Sequence, residues 1–146
     1  MKIYLDVSCL NRPFDDQAQV RIRLEAEAVL TILRRVESGV WELAGSEMVD
    51  FETARMADSE RGQRVRALAG LATVKLGLNP AIKARAQEWV ERGIKPVDAL
   101  HLACAENAAL DVFLTTDDRL LRAIARHGPA RIPANNPLPW LNDVLI

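Results

Sequence analysis

The sequence predicts a three-layer α/β/α domain whose short, mostly parallel central sheet is covered by helices on both faces. Short apolar segments at residues 2–7 and 111–116 have the composition of strands, whereas most of the chain between them places apolar residues at helical spacing. Strands that alternate with helices form βα units, and such units build parallel sheets. The 146 residues contain no repeat and no low-complexity segment, so we expect a single domain over residues 1–146.

The first elements follow from residue type. Residues 2–7 alternate in polarity and are rich in β-formers, which predicts a strand. Residues 11–16 are polar and contain a proline, which indicates a loop. Residues 17–38 place apolar side chains at helical spacing, and Gly39 is expected to end this helix. A second short strand is predicted at residues 40–44.

The middle of the chain, residues 47–92, is helical throughout by its pattern, with breaks at Asp58-Ser59, at Gly77 and at Asn79-Pro80. Ser46 is expected to cap the first of these helices, and Asn79 followed by Pro80 to begin the last. The remaining elements are predicted as a helix at 96–109, a buried strand at 111–116, a helix from 117 or 118 to 127, a last strand at 130–133 and a closing helix at 138–145.

Composition places the protein among soluble globular chains. Its hydrophobic fraction is 49% and its charged fraction 27%, and no apolar run approaches the roughly 20 residues that span a bilayer. Cys9 and Cys104 lie in apolar contexts without metal spacing, which is typical of thiols in a reducing compartment. We therefore expect a cytoplasmic protein. A net charge of −1 excludes a basic nucleic-acid coat, but not a nuclease whose acidic site binds cations.

Four acidic residues are candidates for one site. Asp6 follows the first predicted strand, and Asp117 follows the strand at 111–116. Ligands of parallel sheets bind outside the carboxyl ends of the strands, so these two carboxylates lie where a site is expected. Asp98, in a first helical turn, and Glu52, within the helix after Ser46, could reach the same edge. Such a cluster suits Mg²⁺ or Mn²⁺, which would activate a water for phosphodiester cleavage.

Each acid also has a structural interpretation. An Asp after a strand is more often a turn former or a helix cap, and Asp117 could simply cap the next helix. The helix dipole favours Asp98 whether or not it binds metal. Glu52 could be a solvated residue. From the residues alone, only the placement of Asp6 and Asp117 at one sheet edge favours a site over these alternatives.

Four segments resemble the motifs of the PIN domain family, in the family's order. They are LDVSCL at residues 5–10, SEMVDFE at 46–52, PVDALHLACA at 96–105 and FLTTD at 113–117. In the second motif, the spacing of the acidic ligand from the serine selects Glu52 over its acidic neighbours. Ser8 stands where many members carry Asn, and the insert at residues 11–16 is not part of the general pattern.

The resemblance implies a three-layer PIN-like fold and a Mg²⁺- or Mn²⁺-dependent ribonuclease. Its metal-binding and catalytic residues would be Asp6, Glu52, Asp98 and Asp117. It further implies the VapC type, the toxin of a bacterial toxin–antitoxin pair, which is usually dimeric and inhibited by a small antitoxin. Apolar residues of the middle helices also favour a homodimer, since they exceed what one face needs. These are Leu68, Leu71, Leu76 and Leu78.

Other residues near the proposed ligands have weaker assignments. The hydroxyls of Ser8 and Thr115 could orient the ligands, although local capping explains them equally well. Arg12 is the best candidate for an RNA phosphate contact, because its loop leaves the sheet edge of Asp6. His101 is expected to pack in the core rather than to act in catalysis.

Two other functions compete with the nuclease. A PIN domain can be retained as a non-catalytic RNA- or protein-binding module, but such a module usually lacks an acidic ligand and all four are present here. A receiver or phosphatase-like domain would use Asp6 as nucleophile. Val7 and Ser8 argue against it, because that chemistry normally needs a second acid beside or two residues from the first.

Overall fold

A five-stranded, wholly parallel sheet forms the centre of the computed structural model, which describes residues 1–145. The strand order is β3-β2-β1-β4-β5, so β1 is the middle strand and the fold class predicted from the sequence is confirmed. The strands are β1 (Lys2–Leu5), β2 (Glu42–Ser46), β3 (Val74–Leu76), β4 (Val112–Leu114) and β5 (Ala134–Asn135).

Within residues 1–145, eight α-helices connect and cover the strands. Serine and asparagine caps begin three of them, where the side chains of Ser46, Ser59 and Asn79 accept a hydrogen bond from the backbone N–H three residues on. The helices are α1 (Val7–Asn11), α2 (Val20–Glu37), α3 (Glu47–Ala54), α4 (Glu60–Ala69), α5 (Pro80–Glu91), α6 (Pro96–Asn107), α7 (Asp118–His127) and α8 (Pro137–Leu145), with a 3-10 helix at Arg12–Phe14 between α1 and α2.

The core lies around the two central strands. Every residue of β4 and all of β1 except Lys2 are buried, as expected for parallel strands covered on both faces. Helix α6 is buried over most of its length and includes Cys104, which is a free thiol in the core like Cys9. These strands end together at the carboxyl edge of the sheet, and that edge carries the acidic residues.

Three local predictions were wrong. Val74–Leu76 lies in the stretch predicted to be helical, but it pairs with β2 as the edge strand β3. Residues 11–16 are not simply a loop, because α1 and the 3-10 helix occupy Val7–Asn11 and Arg12–Phe14, where Val7, Cys9 and Leu10 are buried. The last strand is Ala134–Asn135 rather than 130–133. Each segment is too short for its own periodicity to define it, so tertiary pairing and burial decide its conformation.

None of the helices within residues 1–145 combines the length and apolarity needed to cross a membrane.

Candidate active site

The carboxylate of Asp6 lies at the floor of the site, directly after β1. A backbone hydrogen bond from its N–H to the carbonyl of Leu114 continues the ladder between β1 and β4, at 2.9 Å. Its Oδ2 accepts hydrogen bonds from Thr115 Oγ1 at 2.8 Å and from Ser8 Oγ at 3.1 Å. The structure therefore places Ser8 and Thr115 where they fix the orientation of Asp6.

Asp6 is only 5% exposed, and this burial raises the pKa of its carboxyl group above the ordinary value. Nearby His101 and the hydroxyls of Thr115 and Ser8 lower the pKa in part, whereas the negative charge of Glu52 raises it further. A buried carboxylate held by two hydroxyls beside a second carboxylate is a favourable position for a cation.

Glu52 reaches the same place from α3. Its Oε1 is hydrogen-bonded to Nε2 of His101, whose side chain is fully buried in α6. Ligand atoms of Asp6, Glu52 and His101 all lie within 4.8 Å of one another. The motif at residues 46–52, which contains Glu52, and the motif at residues 96–105, which contains His101, thus meet at the end of β1.

Behind Glu52 runs a chain of buried hydrogen bonds. Nδ1 of His101 lies 2.5 Å from the hydroxyl of Tyr4, and that hydroxyl lies 2.6 Å from Oγ of Ser46. Burial raises the pKa of Tyr4, so its hydroxyl stays protonated at neutral pH. Since Ser46 Oγ already accepts from the N–H of Val49, every group is satisfied when Ser46 donates to Tyr4, Tyr4 to Nδ1 and Nε2–H to Glu52.

Asp98 and Asp117 complete the acidic group. Together with Glu52 they line an open pocket of about 620 Å³. The pKa of Asp98 is raised to about 6, first by burial and then by the negative charges of Asp6 and Asp117. The structure therefore places Asp98 close enough to feel the charges of the other three predicted carboxylates, Asp6, Asp117 and Glu52.

Asp117 also caps the helix that follows it, as its position in the sequence suggested. Its Oδ1 accepts hydrogen bonds from the N–H groups of Arg119 at 2.9 Å and Leu120 at 3.2 Å, which caps α7. Capping uses one oxygen of the carboxylate and so does not exclude metal binding by this residue.

Comparison with known proteins identifies the family. The profile of the PIN domain matches residues 3–126, which is most of the chain. This chain belongs to the PIN domain family. PIN domains are generally nucleases that use divalent metals, and Asp6, Glu52 and His101 of this PIN domain form a group that could hold a metal ion.

Solved structures show the same fold. The chain is similar to the crystal structure of VapBC2 from Rickettsia felis bound to a DNA fragment from their promoter, with 11% identity and a TM-score of 0.60 over 93% of this chain and 98% of that one. It is also similar to PAE2754 from Pyrobaculum aerophilum, with 16% identity and a TM-score of 0.59 over 99% of this chain and 90% of that one. No curated protein matches the sequence.

The residues of this PIN domain fit a hard divalent cation. Carboxylate oxygens are the ligands that Mg²⁺ and Mn²⁺ prefer, and one or two of them with water are enough for Mg²⁺. Buried Asp6 and partly buried Asp98 both have raised pKa values, first because burial disfavours the charged carboxylate and then because other carboxylates lie nearby. Within residues 1–145, no lysine or arginine side chain is in hydrogen-bond contact with either group. A bound cation would relieve that repulsion.

Arg12 of this PIN domain is engaged by its own chain. Its Nε lies 3.1 Å from Oε1 of the buried Glu25, and its Nη1 lies 3.1 Å from Oδ2 of Asp15. The same Glu25 accepts a hydrogen bond from the side chain of Asn136. The guanidinium of Arg12 thus pairs with a carboxylate that is 1% exposed and that Arg21 also approaches, and the RNA contact of Arg12 stays a prediction.

The sequence analysis did not predict that Tyr4 and His101 form a buried chain of hydrogen bonds behind Glu52. His101 does pack in the core as expected, but both of its ring nitrogens are also hydrogen-bonded. Two signals were available. Tyr4 is a polar interruption of an apolar strand two residues before Asp6, and His101 follows Asp98 by about one helical turn. Neither signal identifies the partner, since the two residues meet only in the folded chain.

Proposed function

We propose that the chain is a single PIN domain that cleaves RNA phosphodiester bonds as a Mg²⁺- or Mn²⁺-dependent endoribonuclease. The observation that carries this proposal is an acidic group at the carboxyl edge of the sheet, in which Glu52, Asp98 and Asp117 line one pocket and Asp6 lies beside Glu52. Membership of the PIN domain family supports a nuclease, and the donor set supports a hard cation.

In this proposal the four carboxylates hold the metal, and other residues hold the carboxylates. Ser8 and Thr115 fix Asp6, and His101 fixes Glu52. When bound, the metal would activate a water and stabilise charge on the phosphoryl oxygens. A bound cation would favour the ionised form of Asp98, whose pKa burial and the charges of Asp6 and Asp117 raise to about 6.

The biological setting that we propose is the toxin of a type II toxin–antitoxin pair, acting on RNA in the cytoplasm and inhibited by a small antitoxin protein. Sequence resemblance to the VapC type supports it, and the fold shared with VapBC2 agrees with it. A short open reading frame directly upstream of the gene would be the simplest further support.

We also propose a homodimer, although one of its arguments has weakened. The four leucines that seemed in excess are only partly exposed and pack against the core, so they are not a free apolar face. They are Leu68, Leu71, Leu76 and Leu78. Multi-angle light scattering at micromolar concentration should give twice the 16.2 kDa chain mass, and a monomer would remove the dimer while leaving the nuclease proposal intact.

Cleavage of single-stranded RNA by the purified protein tests the nuclease directly. We expect internal cleavage with Mg²⁺ or Mn²⁺, none with EDTA, and none after Asp98→Asn. The matched control is Asp143→Asn, which removes an exposed carboxylate of α8 away from the site. Cleavage by Asp98→Asn at the parental rate would refute the proposal, and binding of RNA without any cleavage would favour the non-catalytic module.

A further inference from the structure

An exposed aromatic ring lies at the rim of the acidic pocket. Phe51 precedes Glu52 in α3, is 47% exposed and lines the same pocket as Asp98 and Asp117. Single exposed apolar residues are common on proteins and need no explanation by themselves. This one differs because its neighbours in the pocket are the proposed metal ligands and two cationic side chains.

The two cations are Arg55 and Lys95. Arg55 lies one helical turn after Phe51, and its guanidinium carbon is 5.2 Å from the centre of the phenyl ring. Lys95 caps the start of α6, directly before Pro96, and lines the same pocket. The pocket thus combines a π surface and two positive charges with the acidic group.

Neither cation is neutralised by a carboxylate. Within residues 1–145, Arg55 and Lys95 form no ion pair at 4.0 Å or less, although Glu52 and Asp98 line the same pocket. Many other cations of the chain do form such pairs. They are Arg12, Arg21, Arg61, Arg64, Arg66, Lys75 and Arg85. The two at the rim are therefore available to an anionic ligand.

We infer that Phe51, Arg55 and Lys95 form a binding subsite for single-stranded nucleic acid, in which an unpaired base stacks on Phe51 and the adjoining phosphates contact Arg55 and Lys95. This inference rests on the proposed function and adds substrate contacts outside the metal-binding residues. An aromatic ring beside cations is the arrangement that binds single strands, since every base has a π face. In a duplex the bases stack on one another and cannot reach the ring.

The subsite also explains how an acidic pocket accepts a polyanion. Three carboxylates at the pocket repel phosphate, and a divalent cation offsets only part of that charge. Arg55 and Lys95 supply the remaining attraction on the outer side of the pocket, while stacking on Phe51 is insensitive to charge. Binding should therefore have one component that falls with salt and one that does not.

The aromatic component is tested by combining a protein change with a substrate change. Binding of a single-stranded RNA oligonucleotide is measured by fluorescence anisotropy in an Asp6→Asn background, so that cleavage does not consume the ligand. Phe51→Ala should weaken binding by about 5- to 150-fold, and Phe51→Trp should restore it. An oligonucleotide that lacks one base at the stacked position should bind the parent as weakly as the intact oligonucleotide binds Phe51→Ala. Loss of that base should not weaken binding to Phe51→Ala any further.

Val40→Ala is the control for the aromatic component, because Val40 is 56% exposed but precedes β2 at the opposite edge of the sheet. It should bind the oligonucleotide as the parent does. The inference is overturned if Phe51→Ala binds within twofold of its parent, if no base-free position reproduces its loss, or if no RNA binds at all.

The cationic component is tested by salt dependence. Arg55→Ala and Lys95→Ala should each lower the slope of log affinity against log salt by about 0.7, the value for one phosphate contact with a single strand. Arg34→Ala, an exposed and unpaired arginine near the end of α2, should leave the slope unchanged. Unchanged slopes for Arg55→Ala and Lys95→Ala would overturn their part in the subsite.

These outcomes separate the subsite from the proposed function. If the protein with Asp6 intact never cleaves RNA but binding still depends on Phe51, the nuclease proposal fails and the subsite stands. If that protein cleaves RNA and Phe51→Ala leaves KM unchanged, the subsite fails and the nuclease proposal stands.

Discussion

The raised pKa of Asp98 predicts that the metal-free protein is destabilised by its own active site. Its pKa lies at about 6 against an ordinary value of 3.8, because burial and the charges of Asp6 and Asp117 oppose its ionisation. In the folded state this carboxyl group therefore binds a proton more tightly than in the unfolded state. The stability that protonated Asp98 contributes is fully present below about pH 4 and is lost as pH rises through about 6.

The size of this effect follows from the difference between the two pKa values. Each pKa unit corresponds to about 1.4 kcal/mol, which gives roughly 3 kcal/mol as an upper limit for Asp98 above pH 7. The side chain is only partly buried, and solvent screens its interactions with the other carboxylates. We therefore expect the ionised form to lower the free energy of unfolding by about 1–2 kcal/mol.

Asp98→Asn keeps the shape of the side chain and removes the charge. In EDTA at pH 8, urea denaturation should show the variant to be more stable than the parent by about 1–2 kcal/mol, and the difference should vanish near pH 4. Asp143→Asn is the control and should change stability little at either pH. Mg²⁺ or Mn²⁺ should stabilise the parent by mass action and the Asp98→Asn protein much less.

A loss of stability in Asp98→Asn at pH 8 would refute this reasoning, and so would an effect of equal size at pH 4 and pH 8. The first result would mean that the carboxylate contributes a hydrogen bond that outweighs repulsion. The second would mean that the change acts through packing rather than charge.

Three further predictions concern the floor of the site, its supporting hydrogen bonds and the ion pair beside it. Asp6→Asn should leave the metal-free protein at least as stable by thermal melting. It should lower RNA cleavage by about a hundredfold or more and abolish the shift in melting temperature on adding Mn²⁺. Retained cleavage would exclude Asp6 as a metal ligand. Tyr4→Phe should lower the free energy of unfolding by about 1–3 kcal/mol, because it leaves buried Nδ1 of His101 without a partner. The same change should reduce kcat. Parental values for both quantities would show that this hydrogen bond has no role. Arg12→Ala should lower the free energy of unfolding by roughly 3 kcal/mol, because buried Glu25 loses the closer of its two ion pairs and keeps only Arg21. RNA affinity of the folded protein should stay within twofold, and a selective loss of RNA affinity would instead support a phosphate contact by Arg12.

Much of the fold was readable from the sequence, because the strands at its centre leave a clear pattern. The β4 segment is continuously apolar, as a strand buried on both faces must be, and β1 ends at the first charged residue of the site. Strand β3 was not readable. Its three residues carry no period of their own and become a strand by pairing with β2, where Val74 lies opposite Ala44.

The acidic residues of the site were predictable for a different reason. Their spacing within short motifs is local, and strand ends of a parallel sheet meet at one edge whatever the loops do. The hydrogen bond between Tyr4 and His101 joins residues 97 positions apart, so it depends on how α6 crosses β1. The ion pair of Arg12 was not predictable for the same reason, since its partner Glu25 belongs to the next helix and is buried only in the folded chain.

The central claim is that Asp6, Glu52, Asp98 and Asp117 hold a divalent metal for cleavage of RNA. A crystal structure of the protein grown with Mn²⁺, with anomalous differences collected at the manganese edge, tests the position of that metal most directly. The account predicts an anomalous peak bound by Asp6 and at least one of the other three carboxylates, and no such peak in crystals of Asp6→Asn. A peak elsewhere on the protein, or an unchanged peak in the variant, would contradict it.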